Sequence, residues 1–155
     1  MYPDPRVVDF IDDHFVPVRF HVKDQHDDFK RFGAHYGAQW TPTVLILDEE
    51  GNEHYRIEGS LPADDFMSQL MLGIARAAFD RQDYRAAEEL YRRVVEKFPN
   101  SEAAPEALYW AGVSKYRATN DPSALSATAD AFAQRYQSSS WAKKASVWRA
   151  RPASA

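Results

Sequence analysis

The chain has 155 residues, 45% of them hydrophobic and 14% aromatic, a net charge of −4 and no cysteine. That is enough apolar material for one ordinary domain or two small ones, and it excludes a disordered chain. The missing cysteines exclude a disulfide, a thiolate nucleophile and a cysteine-bound zinc ion.

Asp4-Pro5 reads as a helix start, with Val7, Val8, Phe10, Ile11 and Phe15 on one face. Phe15 to Val22 then alternates, with Val16, Val18, Phe20 and Val22 on one side and Arg19 and His21 on the other. The period of two predicts a strand, and Pro17, which has no amide hydrogen, belongs at its start or on an unpaired side. Lys23 to Asp28 turns into a helix carrying Phe29, Phe32 and Tyr36, with Gly37 as its C-cap. After the turn Trp40-Thr41-Pro42, the continuous apolar run Thr43 to Leu47 predicts a strand covered on both faces. Asp48 to Asn52 is a hairpin turn with Gly51 free to take a positive φ. The returning strand, Glu53 to Gly59, places Tyr55 and Ile57 inward and His54, Arg56 and Glu58 outward. Pro62 with Asp64 and Asp65 opens a helix over about 63–81, whose stretch Met67 to Ala75 holds no charge. A helix apolar all round is covered all round, so it should close the sheet on one face and start the second half on the other.

From Gly73 onward strand signals stop and the sequence repeats. Asp83 to Phe98 is an amphipathic helix ended by Pro99. Shifted by 38 residues, Asp121, Ala124, Phe132, Tyr136, Ser139, Ala142, Ala145 and Trp148 fall on Asp83, Ala86, Val94, Phe98, Ser101, Ala104, Ala107 and Trp110. The intervening helices match at 37, with Phe79 on Tyr116 and Ala75 on Gly112. Residues 140–149, with Trp141, Ala145 and Trp148, can cap the stack.

Two resemblances follow from these residues. The order helix, strand, helix, strand, hairpin strand, helix, with Pro3 to Ile11, Phe15 to Val18 and the start Thr41-Pro42-Thr43, resembles the thioredoxin-like family. It implies a cis Thr41–Pro42 bond and a peptide-binding turn at Trp40, Thr41 and Pro42. The family's opening strand-helix-strand unit and Cys-x-x-Cys turn are missing, so the sheet is expected to be incomplete. Either the strands 16–22 and 43–47 pair directly, another chain supplies the missing strand, or the region is poorly ordered. The second half resembles the tetratricopeptide repeat, with small Ala75, Gly112 and Ala87, large Tyr91 and terminator Pro99; Leu125, Ala129 and Gln137 depart from that pattern.

The expected architecture is therefore α/β followed by all-α, an incomplete thioredoxin-like sheet over 1–72 and a helical repeat over 73–150. Residues 1–72 carry 14 acidic and 6 basic side chains, and residues 73–155 carry 9 and 13, so the halves have opposite sign. The basic side chains of the second half are interleaved with acids, which argues against a nucleic-acid partner. No apolar run approaches the roughly 18 residues needed to span a bilayer, and residues 1–15 lack a secretion signal, so a cytoplasmic location is expected. His14, His21, His26, His35 and His54 form no metal-binding pattern, and no phosphate loop or nucleophile elbow is present. No catalytic residue, metal or cofactor is expected. The expected function is a protein-interaction module, with Tyr109, Tyr116, Arg117, Lys143 and Lys144 lining a repeat groove for a protein or peptide. Self-association through an open strand edge is a further expectation. The alternative is a fragment of a thiol-disulfide oxidoreductase or thiol-dependent chaperone whose Cys-x-x-Cys lies upstream of Met1.

Overall fold

The computed structural model describes residues 3–149. Helix α1 (Pro5–His14) begins where the Asp4 carboxylate accepts a hydrogen bond from the Arg6 amide at 2.9 Å, with Pro5 in the first turn. Helix α2 (His26–Tyr36) ends at Gly37, whose φ of 64° suits a residue without a Cβ. Strands β1 (Thr43–Leu47) and β2 (Glu53–Glu58) pair antiparallel, Val44 opposite Ile57 and Ile46 opposite Tyr55, as a two-stranded sheet. Their turn is held by Asp48, whose carboxylate accepts from the amides of Glu50 and Asn52 at 3.0 and 2.8 Å.

Helix α3 (Ala63–Asp80) is the spine of the molecule. One part of it, Phe66, Met67 and Leu70, packs with Ile46 and Ile57 of the sheet and with Val7 of α1. The rest, Met71, Leu72, Ala75 and Ala78, enters a second core with Ala87, Tyr91 and Val94 of α4 (Tyr84–Lys97). Gly73 lies where the sheet comes closest, because a Cβ there would stand 2.0 Å from Ile46 Cδ1 and 3.1 Å from Tyr55 Cβ. The division drawn at residue 72 therefore falls inside a single helix.

Helices α5 (Ala103–Thr119) and α6 (Ser123–Gln134) repeat the α3–α4 pair, and α7 (Ser140–Ala145) with a 3₁₀ turn (Ser146–Trp148) follows. The small repeat positions are buried: Ala75 and Ala87 have no exposure and Ala111 beside Gly112 has 1%. At the α5–α6 crossing a Cβ on Gly112 would meet Thr128 Oγ1 at 1.9 Å, so only glycine permits this approach. Tyr136 Oη donates to Pro99 O at 2.6 Å, tying the end of the second pair to the end of the first across one repeat length.

Three expectations are corrected. Residues 15–22 form no strand, and Val16 and Val18 are 92% and 74% exposed. Pro17 has no amide to donate, and among the described residues the other edge of β1 is left open rather than taken up by this segment. Strand β1 is covered on one face by α3 rather than on both; only Ile46 in it is buried, and Leu47 is exposed. Helix α2 does not cover the other face, has no buried residue, and reaches the hairpin through Tyr36 Oη to Gly51 O at 3.0 Å and Arg56 to Tyr36 O. Finally, His54 does not point outward to water: its side chain is only 10% exposed, clamped against the end of α3.

Candidate functional site

Helix α5 carries Glu106, Tyr109, Trp110, Val113, Tyr116 and Arg117 at spacings of three and four, which puts them on one side of the helix. Ring contacts run from this side in both directions. Trp110 meets Phe79 of α3 at 5.2 Å, and Phe79 meets Tyr84 of α4 at 5.1 Å. Tyr109 meets Trp110 at 5.6 Å, Trp141 at 5.2 Å and Trp148 at 4.7 Å, the last nearly stacked. The result is an unbroken path of aromatic rings from the start of α4 to the final 3₁₀ turn.

Cations lie over this path at intervals. The Arg117 guanidinium is 4.7 Å from the Tyr84 ring centroid and donates to Tyr84 Oη at 2.6 Å. Arg76 is 5.2 Å from Trp110 and 5.9 Å from Phe79, and Lys144 Nζ is 3.9 Å from Trp141. Each such contact is worth about 0.5–1 kcal/mol at an exposed site, enough to hold a cation over a ring without neutralising it. Glu106 lies near Arg76 and Lys144, partly buried; burial raises its carboxyl, while the two cations pull the other way. Burial also raises the Tyr109 hydroxyl.

Of the residues expected to line the repeat surface, Tyr109 and Lys144 meet through Trp141, and Arg117 stands at the far end of the ring path. Tyr116 is half-buried on the same side of α5 and Lys143 is exposed; among the described residues neither shows a ring or cation–ring contact. Arg76, Glu106, Trp110 and Trp141 were not among the expected residues. The four-residue spacing of Glu106 and Trp110 on α5 is a sequence signal, but Arg76 and Trp141 reach the face only through the packing of α3 and α7.

The second candidate place is the turn before β1. The Thr41–Pro42 peptide is cis, as the resemblance implied. Trp40 is 68% exposed, its carbonyl accepts from Thr43 Oγ1 at 2.7 Å, and Pro42 O accepts from the Gly59 amide at 2.9 Å. The Thr41 backbone enters none of these bonds, and the residue is exposed. This turn and the aromatic face are separate places, the first in the sheet region and the second on the repeat helices. A depression of about 260 Å³ between the start of α3 and the α4–α5 turn, lined by Asp64, Asp65, Lys97 and Ser101, belongs to neither. No described helix is long and apolar enough to cross a membrane.

Comparison with known families agrees with this arrangement. Residues 1–72 match the family model of the thioredoxin-like domain, and residues 69–101 match that of the tetratricopeptide repeat. The chain is a thioredoxin-like domain fused to tetratricopeptide-like repeats. No curated protein and no solved structure matches it. The two matches overlap within α3, the helix shared by the sheet and the repeat, and the repeat match spans the α3–α4 pair. The α5–α6 pair, where Leu125 and Ala129 depart from the repeat pattern, lies beyond the matched residues.

Proposed function

We propose that this chain is a protein-interaction module whose tetratricopeptide-like helices hold an extended, acidic peptide along the aromatic face. Tetratricopeptide repeats generally mediate protein–protein contacts. The observation that carries the proposal is the ordered run of rings beneath three separate cations, Arg117, Arg76 and Lys144. Rings supply rigid area for backbone and apolar side chains, and the cations meet carboxylates spaced along an extended segment. The opposite charges of the two halves fit a basic repeat surface. In the thioredoxin-like half, Trp40, Thr41 and Pro42 offer a second, smaller contact by resemblance. With no cysteine in its 155 residues the chain has no thiolate for exchange, so binding rather than redox turnover is proposed for it; measurable reduction of insulin disulfides by the purified chain would refute that part.

The test is a panel of fluorescent peptides of equal length, acidic, neutral and basic, titrated with the full chain. Acidic peptides should bind most tightly, and Lys144→Glu should weaken them about tenfold, a change of about 1.4 kcal/mol. Equal affinity across the panel, or an unchanged affinity in the variant, would overturn the proposal. A second reading rests on the open edge of β1 and the exposed Val16 and Val18: self-association by strand pairing. It requires a dimer in sedimentation experiments, and a monomer throughout the concentration range would remove it.

A further inference from the structure

Three elements converge on His54 of β2. Its Nε2 lies 2.8 Å from Asp48 Oδ2 at the end of β1, and its Nδ1 lies 2.8 Å from Asp80 Oδ2 in the last turn of α3. The second oxygen of Asp80 accepts from Arg76 Nε at 2.9 Å. The turn residue Asn52 donates to the same Asp48 carboxylate at 3.0 Å. The facing charges are therefore Asp48 from the hairpin turn, and Asp80 and Arg76 from α3, with neutral Asn52 beside them. The side chains are 10%, 19% and 30% exposed for His54, Asp48 and Asp80, so water screens the cluster only in part.

A neutral imidazole has one N–H and one lone pair. It can donate to only one of these carboxylates, and its lone pair would face the other at hydrogen-bond distance. Only the imidazolium satisfies both contacts. We propose that His54 is a proton-operated latch that holds the β1–β2 hairpin to the end of α3 and, through Asp80, fixes Arg76 over Trp110. With the proton in place, Asp80 divides its oxygens between His54 and Arg76. When the proton leaves, one of the two carboxylates loses its donor and neither faces a cation on the ring any longer, so the hairpin contact loosens and Asp80 leans more on Arg76. The guanidinium over Trp110 then shifts with it, which carries the change to the repeat face whether or not that face binds a peptide.

The hydrogen bonds that the His54 ring donates to Asp80 and Asp48 outweigh burial and raise His54 above its ordinary 6.5. Asp48 is held well below the carboxylate range, first by Asn52, and so stays charged throughout. The latch is therefore closed below about pH 6.5 and opens as pH rises through the raised His54 value.

The test is an NMR titration of the full chain from pH 5 to 9, following the His54 ring nitrogens, the hairpin amides and the Trp110 indole N–H. His54 should titrate above 6.5, and Asp80→Asn should lower its midpoint by about one unit. The hairpin amides and the Trp110 indole should move with the same midpoint in the native chain. A midpoint at or below 6.5, no change in Asp80→Asn, or hairpin and indole signals that ignore the His54 titration would each overturn the latch. Should Asp80→Asn fail to fold, lower protection at the Asn52 and His54 amides of the native chain above the midpoint, after correction for the intrinsic rise of exchange with pH, is the required result, and unchanged protection refutes it.

Discussion

Gly112→Ala tests whether the α5–α6 crossing depends on contact between backbones. The added methyl would stand 1.9 Å from Thr128 Oγ1, 2.8 Å from its Cβ and 2.9 Å from its Cγ2. Carbon atoms in contact sit at about 3.5–4.0 Å, so the pair must separate by roughly 1 Å. Rotating Thr128 gives no relief, because its Cβ is fixed by the backbone and its hydroxyl is committed to Ala124 O at 2.8 Å. Overpacking of this kind costs about 1–3 kcal/mol, and replacing glycine by alanine inside a helix returns about 1 kcal/mol. Since the clash involves a Cβ, the upper part of the range applies and the net loss should be about 1–2 kcal/mol. For a chain of this size that lowers the melting temperature by about 2–8 °C. Urea unfolding followed by tryptophan fluorescence gives the free energy directly. Moving the small residue across the crossing, as Gly112→Ala with Thr128→Gly, should recover about 1–2 kcal/mol relative to the sum of the single changes. A Gly112→Ala chain at least as stable as the native one, or a double variant that is strictly additive, would refute the reasoning.

Other outcomes follow from single residues. Ser114 is fully buried and its Oγ makes no hydrogen bond among the described residues, so Ser114→Ala should raise unfolding stability by about 1 kcal/mol; a loss would point to an unseen role for the hydroxyl. Burial raises Glu106 above its ordinary 4.5, so the group favours the fold below that value and opposes it as pH rises through the raised one. Glu106→Gln should therefore melt higher than the native chain at pH 7 and gain nothing at pH 4, as read by calorimetry. Val16→Ser combined with Val18→Ser should change stability by less than about 0.5 kcal/mol, because both side chains already lie in water; a larger loss would show that the segment is packed.

Much of the fold was legible in local pattern. The helix start at Asp4 was set by a short polar side chain that accepts from an amide two residues on. The hairpin followed from Asp48 and Gly51, and the repeat from the recurrence of aromatic and small residues at 37 and 38. These are interactions within a few residues of chain, and the sequence lists both partners side by side. Residues 15–22 show the limit of such reading. Their alternation describes a strand that could be paired, while pairing itself depends on where the chain places the segment, and it does not lie along the open edge of β1.

Sequence alone determined that this chain has no thiol, that α3 must be covered on every side, and that Gly112 and Ala75 occupy equivalent places in two helix pairs. Composition and periodicity are sufficient for those conclusions because they concern what each residue can do or where each element must be buried. Only the tertiary structure decided that Arg76, Lys144 and Arg117 stand over one path of rings, and that His54 meets two carboxylates 6 and 26 residues away. Those groupings arise from how α3, α5 and α7 pack, and packing brings together side chains whose separation along the chain carries no record of their distance in space.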